Sequence, residues 1–575
     1  MPYSNHSSSH MQNKVSQILS IISAYRYRSA TFPDRFSEFA PNLKKQLSEA
    51  VSCGETVRFI LPAFPCKFTA KGENRKTLGS LPDKAEAFAL QTLDGFADSI
   101  AETYAGGATV VIVSDELREN LKIPDADVFA YHQELKALAL SLGLTHLEFV
   151  RLGTLTSSDL EEYFGNASKT CNLLDGPLAQ TVDLEENERH ATTSMPHIND
   201  TEAFKPSIFK QRKSMIRLSI HESNNVGKIT LDLFPPSTNP DFLTPWHGAV
   251  AVLADASVRI IDASAVDMAK FEVITNHAGR PWLLREKSDL FDWGGMELDF
   301  EPLFPCGMLI RARAGCGPYK FENVNMSRVR QLALSTAPLL LRGFTMQVEK
   351  EVFRNKAREL GNIQTWPFGD ILEVRENANL SVMNVLTREA MPFHYDGCFK
   401  TVEDEKTGGW IPTPPLFQMF RNYVASQTKG GLTLFASSRN LIPLLGPDTV
   451  PLEELRRLKW KTFTTDKEAF GSTQLLRPFI TPHPETGVDT FRFHEPWPES
   501  KCAPGSGVIV HVMVQPQAKG NAISQSLTRL MYDRRVAYRH HWKEGDFIFN
   551  DNAMTHHTRT AFENGHREHW RVHVN

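Results

Sequence analysis

A histidine and an aspartate that could share a metal ion lie two residues apart, as His394 and Asp396 in Met391-Pro-Phe-His-Tyr-Asp-Gly397. In an extended strand, side chains at i and i+2 point to one face, so the imidazole and the carboxylate can reach a single point. Two such ligands and a distant histidine make the 2-His-1-carboxylate facial triad, which leaves positions open on a non-heme Fe(II) ion. Alone, the pair indicates little, because such an aspartate is far more often a turn residue.

The distant histidine is one of two neighbours, His556 and His557, in Asn552-Ala-Met-Thr-His-His-Thr-Arg559. Neighbours on an extended segment point to opposite sides, so only one of them is expected to bind the metal. The residue types alone leave this choice open.

Several further segments accompany these residues in a fixed order: Pro338-Leu-Leu-Leu-Arg-Gly-Phe344, Gly430-Gly-Leu-Thr-Leu-Phe435, Trp542-Lys-Glu-Gly-Asp546 and Arg567-Glu-His-Trp-Arg571. From about Ser327 to the C-terminus, the set resembles the Fe(II)/2-oxoglutarate dioxygenases of the taurine dioxygenase (TauD/TfdA) type. The resemblance implies Fe(II) as cofactor, and 2-oxoglutarate and O2 as co-substrates. It selects His557 as the third ligand, because the family ligand lies five residues after the Asn of an Asp-Asn pair, here Asn552.

The distal carboxylate of 2-oxoglutarate needs a cation, and a planar guanidinium matches its geometry. The family places its arginine at about the offset of Arg567, helped by the threonine of Gly-Gly-x-Thr-Leu, here Thr433. Arg571 would then meet the carboxylate of the primary substrate. The offset varies by about one residue among relatives, so these two roles are interchangeable at this stage. Arg559 is another candidate for substrate contact.

The N-terminal half carries its own candidate residues in Met215-Ile-Arg-Leu-Ser-Ile-His221. Period-2 alternation puts three apolar residues on one face of a strand and Arg217, Ser219 and His221 on the other. An exposed face without function fits this pattern equally well. A guanidinium, a hydroxyl and an imidazole in a row are also what a carboxylate-binding, proton-moving site needs. His247, in Thr244-Pro-Trp-His-Gly248, precedes an apolar hairpin predicted for 249–253 and 258–261.

A basic loop follows the short strand predicted for Thr56–Leu61, with Lys67, Lys71, Gly72, Arg75 and Lys76. Ligands of parallel sheets sit beyond the carboxyl ends of the strands, so this loop could hold a phosphate or a carboxylate. A solvated lysine-rich loop is the alternative. No Gly-x-Gly-x-x-Gly or Walker pattern occurs here, so neither a dinucleotide nor ATP is indicated.

These segments and Leu78-Gly-Ser-Leu-Pro-Asp83 resemble the isocyanide synthase family, which is related to pyoverdine and dityrosine biosynthesis proteins, over about 20–315. In that family the amino group of an amino acid becomes an isocyanide, with ribulose 5-phosphate as carbon donor. The resemblance singles out Lys67, Arg217, His221 and His247 as catalytic candidates. We expect His221 to act as general acid/base and Lys67 to hold the phosphate.

The elements that must position these residues differ between the halves. Strands near 56–61, 108–113 and 147–152 alternate with helical patterns up to about 105 and at 126–142, which predicts a Rossmann-like α/β domain with a mostly parallel sheet. The C-terminal half has strand-like segments at 338–344, 371–374, 416–420, 490–493, 507–514 and 546–549, which suit a double-stranded β-helix (jelly roll).

The chain has 575 residues, 41% hydrophobic and 23% charged, which predicts more than one globular domain. We expect a disordered N-terminus at 1–14, a synthase-like domain at 15–318 and a dioxygenase domain at 327–575, with the boundary at 316–328. The net charge of -4 gives no reason to expect nucleic acid or a membrane as partner. Seven scattered cysteines and the absence of a signal sequence or an apolar span predict a cytoplasmic protein.

Two active sites on one chain suggest consecutive steps of secondary-metabolite biosynthesis by a multifunctional enzyme. The first domain would convert an amino acid and ribulose 5-phosphate to an isocyano acid, and the second would oxidise that acid by hydroxylation or decarboxylative desaturation. One alternative is a plain 2-oxoglutarate hydroxylase with a non-catalytic N-terminal binding domain. Another is a metal-responsive binding protein whose His394, Asp396 and His557 hold iron without turnover.

Overall fold

A computed structural model of the chain describes residues 4–28, 33–67, 77–114, 125–151, 215–220, 229–346, 349–367, 369–375, 386–403, 405–406, 408–425, 430–464, 475–502, 509–516, 519–563 and 567–575. The chain divides into two compact units. The first comprises Met1–Phe234, Asn239–Ala251 and Ile260–Leu284, and the second comprises Pro235–Thr238, Val252–Arg259 and Arg285–Asn575.

The first unit contains a parallel sheet with helices in the connections. Its helices are α1 (Ser4–Tyr25), α2 (Phe36–Ser52), α3 (Lys84–Ala101) and α4 (Asp125–Ser141). Its strands are β1 (Val57–Pro62), β2 (Ala108–Ser114), β3 (Leu147–Arg151), β4 (Met215–Ser219) and β5 (Ile229–Thr230). They lie in the order β3-β2-β1-β4-β5, and all four pairs are parallel. The predicted mostly parallel α/β sheet is therefore confirmed.

Helix α1 corrects one expectation, because it starts at Ser4 and so includes residues predicted to be disordered up to 14. No glycine or proline interrupts Ser4–Tyr25, so nothing in the sequence breaks the helix. Buried Val15, Ile18 and Ile22 then hold the helix by its apolar face. Tertiary packing of the second half of α1 thus outweighs the polar composition of its first half.

Helix α3 begins at a complete capping box. The Asp83 carboxylate accepts from the backbone N–H of Ala85, and the Glu86 carboxylate accepts from the backbone N–H of Asp83. These contacts satisfy N–H groups that have no partner inside a helix. Apolar residues cover most of α3, and the helix is accordingly buried on nearly all sides.

Four strands follow in chain order: β6 (Ala249–Val252), β7 (Val258–Ile261), β8 (Phe271–Thr275) and β9 (Pro281–Glu286). They form a sheet of order β7-β6-β9-β8. The neighbouring strands β6 and β7 match the hairpin predicted from the sequence.

The remaining elements belong to the second unit. Its strands are β10 (Leu298–Pro302), β11 (Met308–Ala312), β12 (Tyr319–Lys320), β13 (Leu339–Arg342), β14 (Phe344–Thr345), β15 (Leu372–Arg375), β16 (Thr401–Glu403), β17 (Trp410–Pro412), β18 (Phe417–Val424), β19 (Thr433–Ser437), β20 (Lys459–Thr464), β21 (Arg477–Pro478), β22 (Ile480–Pro482), β23 (Asp489–Phe491), β24 (Val510–Gln515), β25 (Ala537–His540), β26 (Phe547–Asp551), β27 (Thr555–Arg559) and β28 (Glu568–Val574). Its helices are α5 (Met326–Thr336), α6 (Lys350–Leu360), α7 (Ser438–Leu441), α8 (Leu452–Arg457) and α9 (Gly520–Tyr532).

Two sheets of this unit carry the candidate residues. The larger is mixed, with the order β10-β11-β13-β26-β18-β28-β15, and the smaller is antiparallel, with the order β25-β19-β27. Buried Leu340, Phe420 and Ile548 of the larger sheet pack with Phe435 of the smaller one. The two sheets therefore enclose an apolar layer, as facing sheets do.

The division between the units falls earlier in the chain than the predicted boundary at 316–328. The reason is that β10 and β11 join the larger sheet of the second unit, where β11 pairs with β13. Among the described residues, no helix is long and apolar enough to cross a bilayer.

Candidate metal centre

The two histidines predicted as ligands face each other across an isolated backbone bridge, with His557 on β27 and His394 outside the strands. The N–H of His394 donates to the carbonyl of His557 at 3.0 Å, and the N–H of His557 donates to the carbonyl of His394 at 2.8 Å. Strand β27 holds His557 in the smaller sheet, opposite Phe435. The bridge brings the two imidazole centroids within 4.3 Å.

Asp396 completes this cluster. One of its oxygens lies 3.6 Å from Nε2 of His394, and the other lies 3.8 Å from Nε2 of His557. One ligand atom of each of the three residues lies within 4.8 Å of the other two. The sequence prediction that these three side chains meet is thus fulfilled in the structure.

A hydrogen bond on His394 and the burial of His557 leave both imidazoles able to offer a nitrogen lone pair. Nδ1 of His394 lies 2.9 Å from the carbonyl of Pro392, so Nδ1–H donates and Nε2 keeps its lone pair toward Asp396. Burial, followed by the neighbouring His394, lowers the pKa of His557 well below its usual value, which favours the neutral ring. Pro392 is the outer partner of His394 that sequence reasoning did not identify.

The carboxylate of Asp396 is surrounded by donors. Arg571 Nη1 lies 3.0 Å away, His573 Nε2 lies 2.7 Å away, and Gln418 Nε2 donates a further hydrogen bond. Burial acts to raise the pKa of Asp396, but Arg571, His573 and His557 hold it well below its usual range. The carboxylate is therefore ionised although only 8% of the residue is exposed.

Gln418 and His573 were not predicted from the sequence. Their positions follow from register, because Gln418 pairs with His573 across β18 and β28. The signal in the sequence was the alternation of Arg567, His569, Arg571 and His573, which places four basic side chains on one face of β28.

This donor set fits a ferrous ion. Two neutral imidazole nitrogens and one ionised carboxylate on one side of a site match the facial triad of non-heme Fe(II) oxygenases, which keeps positions open for co-substrate and O2. The same set is too poor in oxygen ligands for calcium, which prefers six to eight. The residues of the cluster therefore suit the iron that the sequence implied.

His556, the competing ligand candidate, points away from the cluster. Its Nε2 accepts a hydrogen bond from the backbone N–H of Phe493 at 3.1 Å. Its ring lies 5.4 Å from the ring of Phe491 and 5.8 Å from that of Tyr395. His556 thus packs in the apolar interior, as the alternation of β27 requires.

Arg567 is a buried cation without an acidic neighbour among the described residues. Its Nε donates to Nε2 of His569, its guanidinium lies 5.6 Å from the ring of Phe562, and its Nη1 has no hydrogen-bond partner. Burial, and then the charge of Arg559, lowers the pKa of Arg567 well below its usual value. An anion beside Arg567 would offset both the burial of its guanidinium and the repulsion from Arg559, and would raise its pKa.

The two remaining candidates near Arg567 have partners. Thr433 accepts a hydrogen bond from Trp542 Nε1 at 2.8 Å, and that indole ring lies 4.4 Å from the ring of His569. Arg559 Nη2 donates to the carbonyl of Glu389. Thr433 and Arg559 are paired residues of β19 and β27, so both lie on the smaller sheet.

In the first unit, Lys67 follows β1 by five residues and is buried. Its Nζ is 2.6 Å from Asp83 and 3.0 Å from Glu86, the two capping residues of α3. Burial raises the pKa of Glu86 to about 8, with Lys67 acting against that shift. Tyr131 donates to the other oxygen of Glu86 at 3.2 Å. The predicted contact of Lys67 with a phosphate stays a prediction, and it would require exchange of these carboxylates.

The other candidates of the first unit are only partly covered. Arg217 is half-buried on β4, where it pairs with Ile60 of β1, and burial lowers its pKa. His247 lies 2.8 Å, through Nδ1, from the hydroxyl of Thr244. His221 lies outside the described residues, and so does the basic loop from residue 68 to residue 76.

Comparison with known proteins links each half of the chain to a family. Residues 299–573 match the taurine catabolism dioxygenase TauD, TfdA family. Residues 47–196 and 177–274 match the pyoverdine/dityrosine biosynthesis protein family. The two matches fall on the halves for which the sequence motifs predicted them.

Three curated proteins illustrate the similarity. Isocyanide synthase A of Aspergillus fumigatus is 71% identical and covers 100% of both chains. Isocyanide synthase xanB of the same organism is 33% identical over 93% of this chain and 77% of its own length. A tyrosine isonitrile desaturase of Pseudomonas aeruginosa is 28% identical over 43% of this chain and 80% of its own length.

Proposed function

The chain belongs to the isocyanide synthases that carry a TauD-like Fe(II)/2-oxoglutarate oxygenase domain, and on that premise we propose that it performs two consecutive reactions. The first converts the amino group of an amino acid to an isocyanide, with ribulose 5-phosphate as carbon donor. The second oxidises the resulting isocyano acid, by hydroxylation or decarboxylative desaturation. Joining the two domains raises the local concentration of the intermediate at the second site.

For the first reaction, we assign the work to residues on and near the parallel sheet. Arg217 offers a guanidinium for the carboxylate of the amino acid, and His221 and His247 offer imidazoles for proton transfer. Lys67 would contact the phosphate only if its ammonium first left Asp83 and Glu86. Its two ion pairs also support a simpler role, in which Lys67 anchors the loop after β1 to the start of α3.

For the second reaction, His394, Asp396 and His557 would hold Fe(II), which supplies the site for O2 activation once 2-oxoglutarate is bound. Arg567 would bind the distal carboxylate of 2-oxoglutarate, beside Thr433. Arg571 contacts Asp396 in the structure, so it lies near enough to the cluster to meet the carboxylate of the isocyano acid. This arrangement supports the order of roles in which Arg567 serves the co-substrate and Arg571 the substrate.

One observation carries the proposal most directly: His394, Asp396 and His557, which are distant in sequence, place their ligand atoms within 4.8 Å of one another. Without this convergence, the second reaction would have no metal site.

The test is mass spectrometry of products after feeding the purified chain with ribulose 5-phosphate, Fe(II), 2-oxoglutarate and each amino acid in turn. We expect an isocyanide, visible by its infrared absorption, and release of succinate. His221→Ala should abolish the isocyanide while oxidation of a supplied isocyano acid persists. If His221→Ala leaves isocyanide formation intact, the assignment of this residue is wrong. If no amino acid yields an isocyanide, the first domain is a binding module instead.

We further propose the finer architecture predicted from the sequence. The order β3-β2-β1-β4-β5 supports a Rossmann-like class for the domain at 15–318. The facing sheets of the second unit support a double-stranded β-helix for the domain at 327–575, with β10 and β11 added at its edge. All six described cysteines are free, which supports the proposed cytoplasmic location.

A further inference from the structure

The side-chain amide of Asn422, on β18, is fully buried and makes no hydrogen bond among the described residues. It is 0% exposed, and among the described residues neither its Oδ1 nor its Nδ2 has a hydrogen-bond partner. Buried amides are almost always hydrogen-bonded, because leaving one unpaired costs the desolvation of both its atoms. An amide with two orphaned atoms in one interior position therefore indicates a missing ligand.

The register of the larger sheet shows which way Asn422 faces. Gln418 lies four residues earlier on β18 and donates to Asp396, so even-numbered residues of this strand face the candidate metal centre. Asn422 also pairs directly with His569 of β28, and directly opposed residues share a face of the sheet. The amide thus lies on the metal-facing side, beside His569.

His569 and Arg567 supply two further orphaned donors at the same place. Nε2 of His569 accepts from Arg567 Nε, so the ring proton resides on Nδ1, and Nδ1 has no partner among the described residues. Arg567 Nη1 is likewise buried and unpaired. Thr433 joins the group through Trp542, which donates to its hydroxyl and packs against His569. Asn422, His569 and Arg567, which are neighbours on β18 and at β28, therefore each carry an unpaired donor among the described residues.

We propose that Asn422 and His569 are co-substrate-binding residues that, with Arg567, hold the distal carboxylate of 2-oxoglutarate. This inference rests on the proposed function, and it adds two residues that the motifs did not indicate. A carboxylate offers acceptors only, and the site offers N–H groups from an amide, an imidazole and a guanidinium. One carboxylate would accept from donors of these three groups and neutralise Arg567, while Oδ1 of Asn422, which is itself an acceptor, would need a different partner.

The proposal explains why polar side chains occupy the interior of a sheet where apolar ones would be more stable. Each unpaired donor destabilises the ligand-free protein, and it gains a hydrogen-bond partner only when the carboxylate is bound. The binding free energy of the co-substrate is then concentrated on its second carboxylate. A 2-oxo acid without that group should gain nothing from Asn422 or His569.

The experiment measures binding of 2-oxoglutarate and of pyruvate to the anaerobic, Fe(II)-loaded full chain by calorimetry, together with the melting temperature of the ligand-free protein. Pyruvate keeps the 2-oxo acid and lacks the distal carboxylate. For Asn422→Ala we expect roughly 10-fold or weaker 2-oxoglutarate binding, because one hydrogen bond to a charged group is lost. Pyruvate binding and the melting temperature should not fall. His569→Phe should show the same selectivity.

Asn440→Ala is the matched control, since Asn440 is equally buried but fully paired. Its Nδ2 donates to the carbonyl of Pro305 at 2.9 Å, and its Oδ1 accepts from Ser237 at 2.6 Å. Asn440→Ala should lower the melting temperature and leave 2-oxoglutarate binding unchanged. If Asn422→Ala behaves like Asn440→Ala, the inference is overturned and Asn422 is structural. If the wild-type chain itself does not bind 2-oxoglutarate, the proposed function fails as well.

Discussion

The two units bury opposite charge patterns. In the first, one cation, Lys67, lies between two acids, Asp83 and Glu86. In the second, one acid, Asp396, lies among cations and imidazoles that include Arg571 and His573. Both groups are almost completely buried, so the same electrostatic rules apply to them.

The difference lies in what is left unpaired. The ammonium of Lys67 has two carboxylates, and Glu86 in turn bonds Tyr131 and the backbone of Asp83. Among the described residues, the second unit instead contains orphaned atoms, among them Nδ1 of His557 beside Asp396 and Nη1 of Arg567 on the strand that also carries Arg571. A saturated polar cluster holds elements together, whereas an unsaturated one is prepared for a ligand. On our proposal, the first cluster anchors the chain after β1 to the start of α3, and the second binds a metal ion and an anion.

Removing a ligand from the unsaturated cluster should have the largest effect. His557→Ala deletes one of the three proposed metal ligands, so we expect loss of bound Fe(II) beyond the roughly 100-fold weakening that follows loss of an outer partner. Iron content after desalting and succinate release would measure it. The adjacent His556→Ala is the control: it strands the N–H of Phe493, costs about 1–3 kcal/mol of stability and keeps iron. If His556→Ala loses iron and His557→Ala keeps it, His556 is the metal ligand and His557 is not.

Breaking the saturated cluster should instead cost stability. Lys67→Met leaves Asp83 without its cation in the interior, which predicts a loss of about 3–5 kcal/mol in the free energy of unfolding. Urea denaturation followed by circular dichroism would measure it. Arg35→Ala, which breaks an exposed pair with Glu38, should leave the free energy of unfolding almost unchanged, because solvent screens such a pair. A Lys67→Met chain that is stable but makes no isocyanide would favour the phosphate role over anchoring.

A milder change to the unsaturated cluster tests its outer partners. His573→Phe removes a hydrogen bond to Asp396 and should weaken Fe(II) binding by about 10-fold to 100-fold, since outer partners orient a metal ligand. Competition with a chelator would measure the affinity. Val572→Ala, on the other face of β28, should lower stability without changing the affinity. Equal effects of both substitutions on iron would mean that His573 acts only through packing.

The last effect concerns pH and the saturated cluster, and it is measured as a slope. Burial raises the pKa of Glu86 from its ordinary value near 4.5 to about 8 in the folded chain. Between these values the folded state binds more protons than the unfolded state, so the free energy of unfolding falls as pH rises. The contribution is complete below about 4.5, is lost by about 8, and changes by at most about 1.4 kcal/mol per pH unit. Glu86→Gln should flatten this slope in urea titrations, and an unchanged slope would place its source elsewhere.

The candidate metal ligands were easier to predict from the sequence than the residues that surround them. His394 and Asp396 were predicted as a pair from strand alternation, but the structure places Asp396 in a turn after the bridge at His394. The resemblance to a family chose His557 over His556. Gln418 and His573 depend on how β18 pairs with β28, and no local pattern encodes that register. The parallel sheet was predictable from alternating strands and helices.

The acidic partners of Lys67 show why the surroundings of a candidate residue could not be predicted from the sequence. A lysine in a basic, glycine-containing loop suggests an anion site, and its acidic partners belong to the cap of the following helix. Only the folded chain shows that this cap neutralises the lysine. Helix α1 is a similar case, because buried Val15, Ile18 and Ile22 extend order into a polar segment.

The backbone bridge between His394 and His557 has a consequence for biosynthesis of the protein. His394 leaves the ribosome early, while its partner is still untranslated, and the two carbonyl–amide contacts form only when β27 arrives. A nascent or prematurely terminated chain therefore cannot assemble the three-ligand site. The proposed iron site can therefore form only after β27 has been synthesised.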